Sequence, residues 1–421
     1  MSEASSGTIA VIRQHLIDPE ICIRCNTCEA TCPSGAITHD DRNYVVSATL
    51  CNLCMACVPP CPTGAIDNWR SVPRTSAYAI EDQLQWDVLP PPLPETSVGA
   101  SDDVGTGPHR DVSAPALNAL APIASIPSSY SSTVAPWSAA QPATNLYGVR
   151  NPVVATVAGN VRVTDAGTQS DTHHIVLDFG SKPFPLLEGQ SIGILPAGVD
   201  AHGRPHVARQ YSIASPRNGE RPNYNNASLT VKRVTADHDG RPVRGVCSNY
   251  LCDLAVGERV EVIGPFGTSF LMPNHPQSNI VMICTGTGSA PMRAMTEWRR
   301  RQRKQGQECG KLMLFFGART REELPYFGPL MSLPRDFIDV NLALSRSPSE
   351  PRRYVQDVMR ERGADLAGVL QQDTYIYVCG LKAMEEGVLQ SLADLVQSIG
   401  LDWPEFAARL KREGRLHLET Y

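Results

Sequence analysis

The chain has 421 residues, 13 cysteines and a formal net charge of −5, and at roughly 150 residues per domain that length predicts two to three domains. With 42% hydrophobic and 19% charged residues it reads as an ordinary globular protein with a core large enough to need no disulfide staples. The acidic balance excludes nucleic-acid binding through a basic surface, and no apolar run reaches the roughly 18 residues of a membrane span. The N-terminus MSEASSGTIA has neither the basic nor the apolar region of a secretory signal, so a cytoplasmic location is expected. There, reduced cysteines serve metals or catalysis more often than disulfides.

Eight of the 13 cysteines fall between residues 22 and 61. Cys22, Cys25, Cys28 and Cys32, with Pro33, recur 29 residues later as Cys51, Cys54, Cys57 and Cys61, with Pro62. Each unit is C-x2-C-x2-C-x3-C-P, a run that binds iron–sulfur clusters. Three cysteines at two-residue gaps wrap one face of a cubane with soft thiolates, and the fourth reaches the other cluster. Cys22, Cys25, Cys28 and Cys61 are therefore expected to hold one 4Fe–4S cluster, and Cys51, Cys54, Cys57 and Cys32 a second. Zinc prefers two separated C-x2-C pairs and fits this pattern poorly. Residues 8–75 resemble a two-cluster bacterial-type ferredoxin, which implies one-electron transfer and no open substrate site.

From 76 to 146 the composition changes: Lys, Cys and Phe vanish and Pro, Ala and Ser dominate. No apolar period persists, so the stretch reads as a tether. A small irregular subdomain anchored by Trp86 and Trp137 is the alternative. As a coil, its roughly 70 residues would span about 45 Å.

Residues 147–275 carry short β-branched segments (175–179, 191–195, 229–234 and 260–263) separated by turn residues, the pattern of an antiparallel barrel or sandwich. Beyond 276, apolar strands at 280–284, 312–316, 338–342 and 375–379 alternate with helical stretches. That pattern predicts a doubly wound parallel sheet. LHLETY at 416–421 reads as a final strand.

Several short motifs in this half bear chemistry. Arg209, Tyr211 and Ser212 can grip a phosphate, stack on a ring and hydrogen-bond a ring atom, although R-x-Y-S alone is common. Gly245, Val246, Cys247 and Ser248 offer N–H groups and a hydroxyl at a helix start, a ready anion site. Thr285, Gly286, Thr287 and Gly288 follow a strand and open a helix. Their G-x-G-x-x-P is not the dinucleotide fingerprint G-x-G-x-x-G, yet it puts a helix start at the sheet's carboxyl edge. Ser345, Arg346, Arg352, Tyr354 and Gln356 follow another strand; arginines suit a 2′-phosphate, and the alternative is a solvated loop. Cys252, Cys284 and Cys309 look structural, and His173 and His174 do not read as ligands.

The order R-x-Y-S, V-K-R, G-V-C-S, T-G-T-G-x-A-P, L-S-R, Y-V-Q, V-C-G-L-K, E-T-Y resembles the plant-type ferredoxin–NADP+ reductase family over roughly 147–421. The resemblance implies that Arg209, Tyr211 and Ser212 bind FAD, with Tyr211 against the flavin and Ser212 near its reactive N5. It implies that Gly245, Val246, Cys247 and Ser248 hold the FAD pyrophosphate. Lys232, Thr285, Thr287, Gly288, Gly380 and Leu381 would contact the nicotinamide nucleotide, and Ser345, Arg346, Arg352, Tyr354 and Gln356 its 2′-phosphoadenosine end. Cys379 and Glu419 would lie beside the nicotinamide. Tyr421 would stack on the isoalloxazine and move aside for nicotinamide. Ser212, Cys379, Glu419 and Tyr421 are thus the expected catalytic residues. Arg352 stands where the family often has Lys, which alters phosphate geometry.

The expected fold is multidomain α+β and α/β: a two-cluster ferredoxin-like domain (1–75), a linker (76–146), an FAD-binding antiparallel β-barrel (147–275) and an NADP-binding α/β domain (276–421). A flavin takes two electrons and releases them singly, so FAD converts between NADPH and the clusters. The fused order resembles reductase components of benzoyl-CoA-epoxidising systems, which implies a di-iron oxygenase subunit as acceptor. The rivals are an NADPH:ferredoxin oxidoreductase feeding a general ferredoxin pool, and a non-enzymatic cluster-bearing storage or sensor protein. The oligomeric state, monomer or homodimer, stays open.

Overall fold

A computed structural model describes residues 11–91, 130–222, 224–237 and 240–421. The N-terminal module pairs β1 (Val11–Leu16) antiparallel with β4 (Asn68–Pro73). Between them run α1 (Thr27–Thr31) and the hairpin β2 (Ile37–His39) and β3 (Tyr44–Val46). Ile17, Ile37, Tyr44, Val46 and Ile66 form a small core that also encloses Cys28, Cys57 and Cys61.

The segment read as a tether over 76–146 is built at both ends. Residues 80–84 form α2 (Ile80–Leu84). Its Gln83 amide is buried and bonds both backbone groups of Val46, at 3.0 and 3.2 Å. Asn43 Nδ2 donates to Trp86 O at 2.7 Å. At the other end Ser132 N donates to Leu416 O at 2.7 Å, and Leu418 N donates to Ser131 Oγ at 2.9 Å. Trp137 stacks on His275 at 4.9 Å. These anchors are single polar bonds and isolated rings, which leave no apolar period to read. Residues 92–129 lie outside the described residues.

The second unit is a six-stranded antiparallel sheet of β5 (Val153–Arg162), β6 (Thr172–Asp178), β7 (Ser191–Leu195), β8 (Arg209–Ser212), β9 (Asn226–Lys232) and β10 (Arg259–Phe266). The helix α3 (Val246–Asp253) precedes β10. The strand order is β8-β7-β10-β5-β6-β9, and Ala214 N donating to Ser228 O at 2.8 Å joins the two end strands. Alternate residues such as Val153, Ala155 and Val157 point inward, the period-2 burial of a barrel wall. The predicted set omits β5, because its Ala, Gly and Asn residues dilute the β-branched signal.

The third unit is β11 (Asn279–Thr285), α4 (Ser289–Lys304), β12 (Leu312–Ala318), α5 (Phe327–Met331), β13 (Ile338–Leu344), α6 (Val355–Glu361), α7 (Gly363–Leu370), β14 (Thr374–Gly380), α8 (Lys382–Ser398), α9 (Trp403–Arg412) and β15 (Leu416–Thr420). The sheet is fully parallel in the order β13-β12-β11-β14-β15. The order reverses between β11 and β14, so the crevice for a ligand opens at the carboxyl ends of those two strands.

A buried charge pair crosses the seam between barrel and parallel sheet. Arg293 of α4 donates to both oxygens of Glu220 at 2.7 Å, and Ser228 Oγ donates to the same carboxylate at 2.7 Å. Burial pushes the Glu220 carboxyl up, but Arg293 and His174 beside it together hold the group well below its usual range. Removing one partner of such a pair leaves an unpaired buried charge. Arg293→Met should therefore lower stability by about 3–5 kcal/mol in urea unfolding, and adding Glu220→Gln should recover a large part. A depressed carboxyl stabilises above the unfolded pKa. The native protein should thus lose this contribution as pH falls below about 4.5, and the double variant should not.

Candidate cluster and flavin–nucleotide sites

The eight N-terminal cysteines gather into two groups. Burial raises the Cys22 thiol, and so does the charge of Cys61, Cys28 and Cys25 nearby. Burial raises Cys57 to about 11, with Cys32, Cys51 and Cys54 as its charged neighbours. These are the two expected sets. Cys22, Cys25, Cys28 and Cys61 line an enclosed apolar cavity with Ile17, Tyr44 and Ile66. Among the described residues no three His, Cys, Asp or Glu side chains converge closely enough for a single metal ion. Thiols spread around a cavity fit a cubane, whose irons are bonded at its corners, and not a lone zinc. His15, which no motif marks, is buried beside Cys57 of the other group. It stacks on Trp69 at 3.8 Å, and its Nδ1 lies 3.9 Å from Cys57 Sγ. It comes from β1, 42 residues from Cys57 in sequence.

On the barrel, β7 and β8 pair so that Ser191 faces Ser212 and Ile192 faces Tyr211. Tyr211 packs on the barrel core and touches the Cys247 thiol; burial pushes that thiol up to about 11, so it is neutral at ordinary pH. Arg209 is exposed at the strand's start. Gly245 caps α3, and a Cβ there would lie 2.6 Å from Ser248 Oγ and 2.8 Å from Val234. The Ser248 hydroxyl accepts from Val234 N at 3.2 Å and so holds this loop closed. Val246 is left outward, 51% exposed, so the start of α3 is open to an anion.

At the sheet's carboxyl edge the backbones meet closely. A Cβ on Gly288 would come 2.1 Å from Cys379 O, and one on Gly380, at φ +142°, would come 2.4 Å from Thr285 Oγ1. Leu381 N donates to that same Thr285 hydroxyl at 3.2 Å. The ladder sets Cys284 opposite Cys379 and Cys379 opposite Glu419. Burial, with Glu419 and Cys284 beside it, raises the Cys379 thiol well above its usual value. Burial pushes the Glu419 carboxyl up to about 7. Tyr421 is pinned by its backbone, Tyr421 N to Gly380 O at 3.0 Å, and its hydroxyl shares a 2.6 Å bond with Thr287 Oγ1. The residue is 60% exposed, and its hydroxyl is held by Thr287 and the Gly288 backbone.

Ser345, Arg346, Arg352, Tyr354 and Gln356 lie at the end of β13 and the start of α6. Ser345 N donates to Ala318 O at 3.0 Å and Arg346 N to Arg319 O at 2.7 Å, which tie the loop to the end of β12. Arg353 and Arg321 are neutralised by Glu350, and Arg353 also by Glu361. Arg346 and Arg352 have no carboxylate partner among the described residues; Arg352 bonds and stacks on Tyr354 instead. Two free guanidiniums beside an exposed tyrosine fit a phosphorylated adenosine. Gln356 packs under α8 against Gly387. Lys232 ends β9 with Arg319 and Glu323 as its charged neighbours across the cleft. Arg319 had no motif to mark it.

An open helix start on a barrel, a cleft at the switch point of a parallel sheet, and a thiol-lined module together define a flavin- and nicotinamide-dependent oxidoreductase with an iron–sulfur domain. The model of the oxidoreductase NAD-binding domain matches residues 282–390, and that of the 4Fe-4S dicluster domain matches 21–65. The chain is 37% identical over 293 residues to the cyanelle ferredoxin–NADP reductase of Cyanophora paradoxa, covering 66% of this chain and 78% of that one. It is 35% identical over 288 residues to the ferredoxin–NADP reductase of Spirulina sp, covering 66% of this chain and 98% of that one. The solved ferredoxin–NADP+ reductase of Plasmodium falciparum shares the fold at TM-score 0.53 and 22% identity, over 66% of this chain and 99% of that one. The chain belongs to the ferredoxin–NADP reductase family. It uses FAD and NADP and adds an N-terminal 4Fe–4S domain. Among the described residues no helix is long and apolar enough to cross a membrane.

Proposed function

We propose that this protein passes electrons from NADPH through FAD and two 4Fe–4S clusters to a separate di-iron oxygenase, as the reductase component of a benzoyl-CoA 2,3-epoxidase in aerobic benzoate degradation. One observation carries the reading of a dedicated donor: the cysteine-rich module is fused to the reductase and seated against it. Asp18 meets Lys304 at 3.0 Å, and Asp67 meets Arg221 at 2.9 Å. The proposed roles are those of the sequence reading. Arg209, Tyr211 and Ser212 hold the flavin, Gly245 to Ser248 its pyrophosphate, and Cys22, Cys25, Cys28, Cys61, Cys51, Cys54, Cys57 and Cys32 the clusters. FAD, when bound, accepts the hydride and releases electrons one at a time. Tyr421 covers the nicotinamide position and swings out, at the cost of its bond to Thr287.

The test compares NADPH oxidation with and without the di-iron subunit, benzoyl-CoA and O2. Turnover tightly coupled to oxygenated product supports the proposal, and equal rates with any ferredoxin refute it. The second reading, a donor to a general ferredoxin pool, is favoured by the activity named for the relatives above.

Glu419 yields a pH test. As pH rises through about 7 the carboxyl loses its proton and sets a negative charge beside Cys379, where the nicotinamide is proposed to lie. Hydride departure leaves a positive charge on the nicotinamide, which that anion stabilises, so the rate of flavin reduction by NADPH should rise through that range, and Glu419→Gln should flatten the profile.

A further inference from the structure

The 29-residue offset gives every position in one cysteine unit a counterpart in the other, and the counterparts meet different surroundings. Pro62, Thr63 and Gly64 are buried, whereas Pro33 and Gly35 are exposed. A Cβ on Gly159 of β5 would come 2.6 Å from Pro62, and one on Gly64 would come 3.0 Å from Arg221. A Cβ on Gly35 would meet nothing within 4 Å. Arg24 lies on α5, where a Cβ on Gly328 would come 3.1 Å from its guanidinium. Its counterpart Leu53 is bare. So among the described residues the reductase covers the Cys22, Cys25, Cys28 and Cys61 side and not the other.

The bare side is also the apolar one. Leu50, Leu53 and Met55 are 56, 43 and 42% exposed around the exposed Cys54. Leu53 and Met55 hold φ of 59° and 63°, as Arg24 and Asn26 hold 57° and 60°. That left-handed conformation costs a residue with a side chain roughly 1–2 kcal/mol. Both loops thus share one winding, but the covered copy carries polar residues there and the open copy large apolar ones.

The covered side leads to the flavin-binding strand through the barrel wall. Pro62 touches Gly159, Gly159 pairs with Val176, Val176 pairs with Ser228, and Ser228 O accepts from Ala214 N, two residues past Ser212. Three strand spacings at about 4.8 Å amount to roughly 14 Å.

We infer that the module has a fixed direction: electrons enter at the Cys22, Cys25, Cys28 and Cys61 side, and leave singly from the Leu50, Leu53, Cys54 and Met55 face to an acceptor protein that covers this face with an apolar surface. One NADPH becomes NADP+ with release of a proton and supplies two electrons. Two single-electron deliveries, to the two irons of one di-iron centre or to two cytochrome c molecules in the assay, close the balance.

The inference rests on the proposed two-cluster reading, which iron content tests separately: about eight irons per chain are expected, and about four would refute that reading itself. Two full-chain variants test the direction. Leu53→Asn with Met55→Asn keeps residues that tolerate the left-handed backbone. With cytochrome c as the acceptor protein, this variant should raise KM by about tenfold, while the electron paramagnetic resonance spectrum after dithionite reduction stays that of the parent. Arg221→Glu opposes Asp67 and should slow the NADPH-driven appearance of the reduced-cluster signal by about tenfold, with the dithionite endpoint unchanged. Parent-like cytochrome c kinetics in the first variant would overturn the exit face, and a parent-like rate in the second would overturn the entry side.

Discussion

Replacing Cys28 by alanine should abolish electron delivery to protein acceptors while NADPH still bleaches the flavin. Cys28 is buried among Cys22, Cys25 and Cys61, which raise one another's thiols and share one apolar cavity. Three thiolates cannot complete a four-cysteine site, and the missing side chain leaves nothing else in the cavity to bind iron. The reductase half owes nothing to that cavity, since Tyr211, Cys247 and the Gly288–Cys379 crossing all lie in other elements. Cytochrome c reduction should drop by at least about a hundredfold, and iron content should fall. Retention of full transfer would mean that Cys28 is not a ligand.

Arg346 and Arg352 carry the second large effect. Among the described residues they are the arginines of their loop that no carboxylate neutralises, while Arg353 and Arg321 are paired. A charge-assisted bond to phosphate contributes roughly 1.5–3 kcal/mol. Arg346→Ser with Arg352→Ser should cost about 2–4 kcal/mol in NADPH transition-state binding, or roughly thirty- to a thousandfold in kcat/KM. NADH lacks the 2′-phosphate, so its kcat/KM should stay within about threefold of the parent's. An equal loss with both cofactors would show that the two residues support the loop rather than read the phosphate.

The readability of this molecule from its sequence varied with the kind of force at work. Parallel strands such as Leu312–Ala318 announced themselves because both faces are buried and the run is apolar almost throughout. The two cysteine groups were legible because ligand spacing is a covalent constraint on neighbouring residues. The Glu220–Arg293 seam was not, because its partners stand 73 residues apart and a lone Glu or Arg looks like a surface charge. His15 and Arg319 were missed for the same reason. The anchored ends of the 76–146 stretch are not legible, because Gln83, Ser131 and Ser132 hold their segments by hydrogen bonds, which leave no periodic trace. The 29-residue offset sets Leu53 and Met55 against Arg24 and Asn26 in the sequence itself, but only in three dimensions is the apolar copy seen to be the open one.

The contact of Ser131 and Ser132 with β15 has a practical consequence. β15 is the last strand of its sheet, and an unpaired edge invites strand addition by another chain. Ser132 N and the two serine hydroxyls occupy part of that edge at Leu416 and Leu418, just before the proposed nicotinamide-site residues Glu419 and Tyr421. A reductase fragment cut at 147, where family resemblance begins, would bare this edge. A fragment that starts ahead of Tyr130 retains its cover, and is the shorter piece to expect to behave as a well-ordered, non-aggregating flavoprotein.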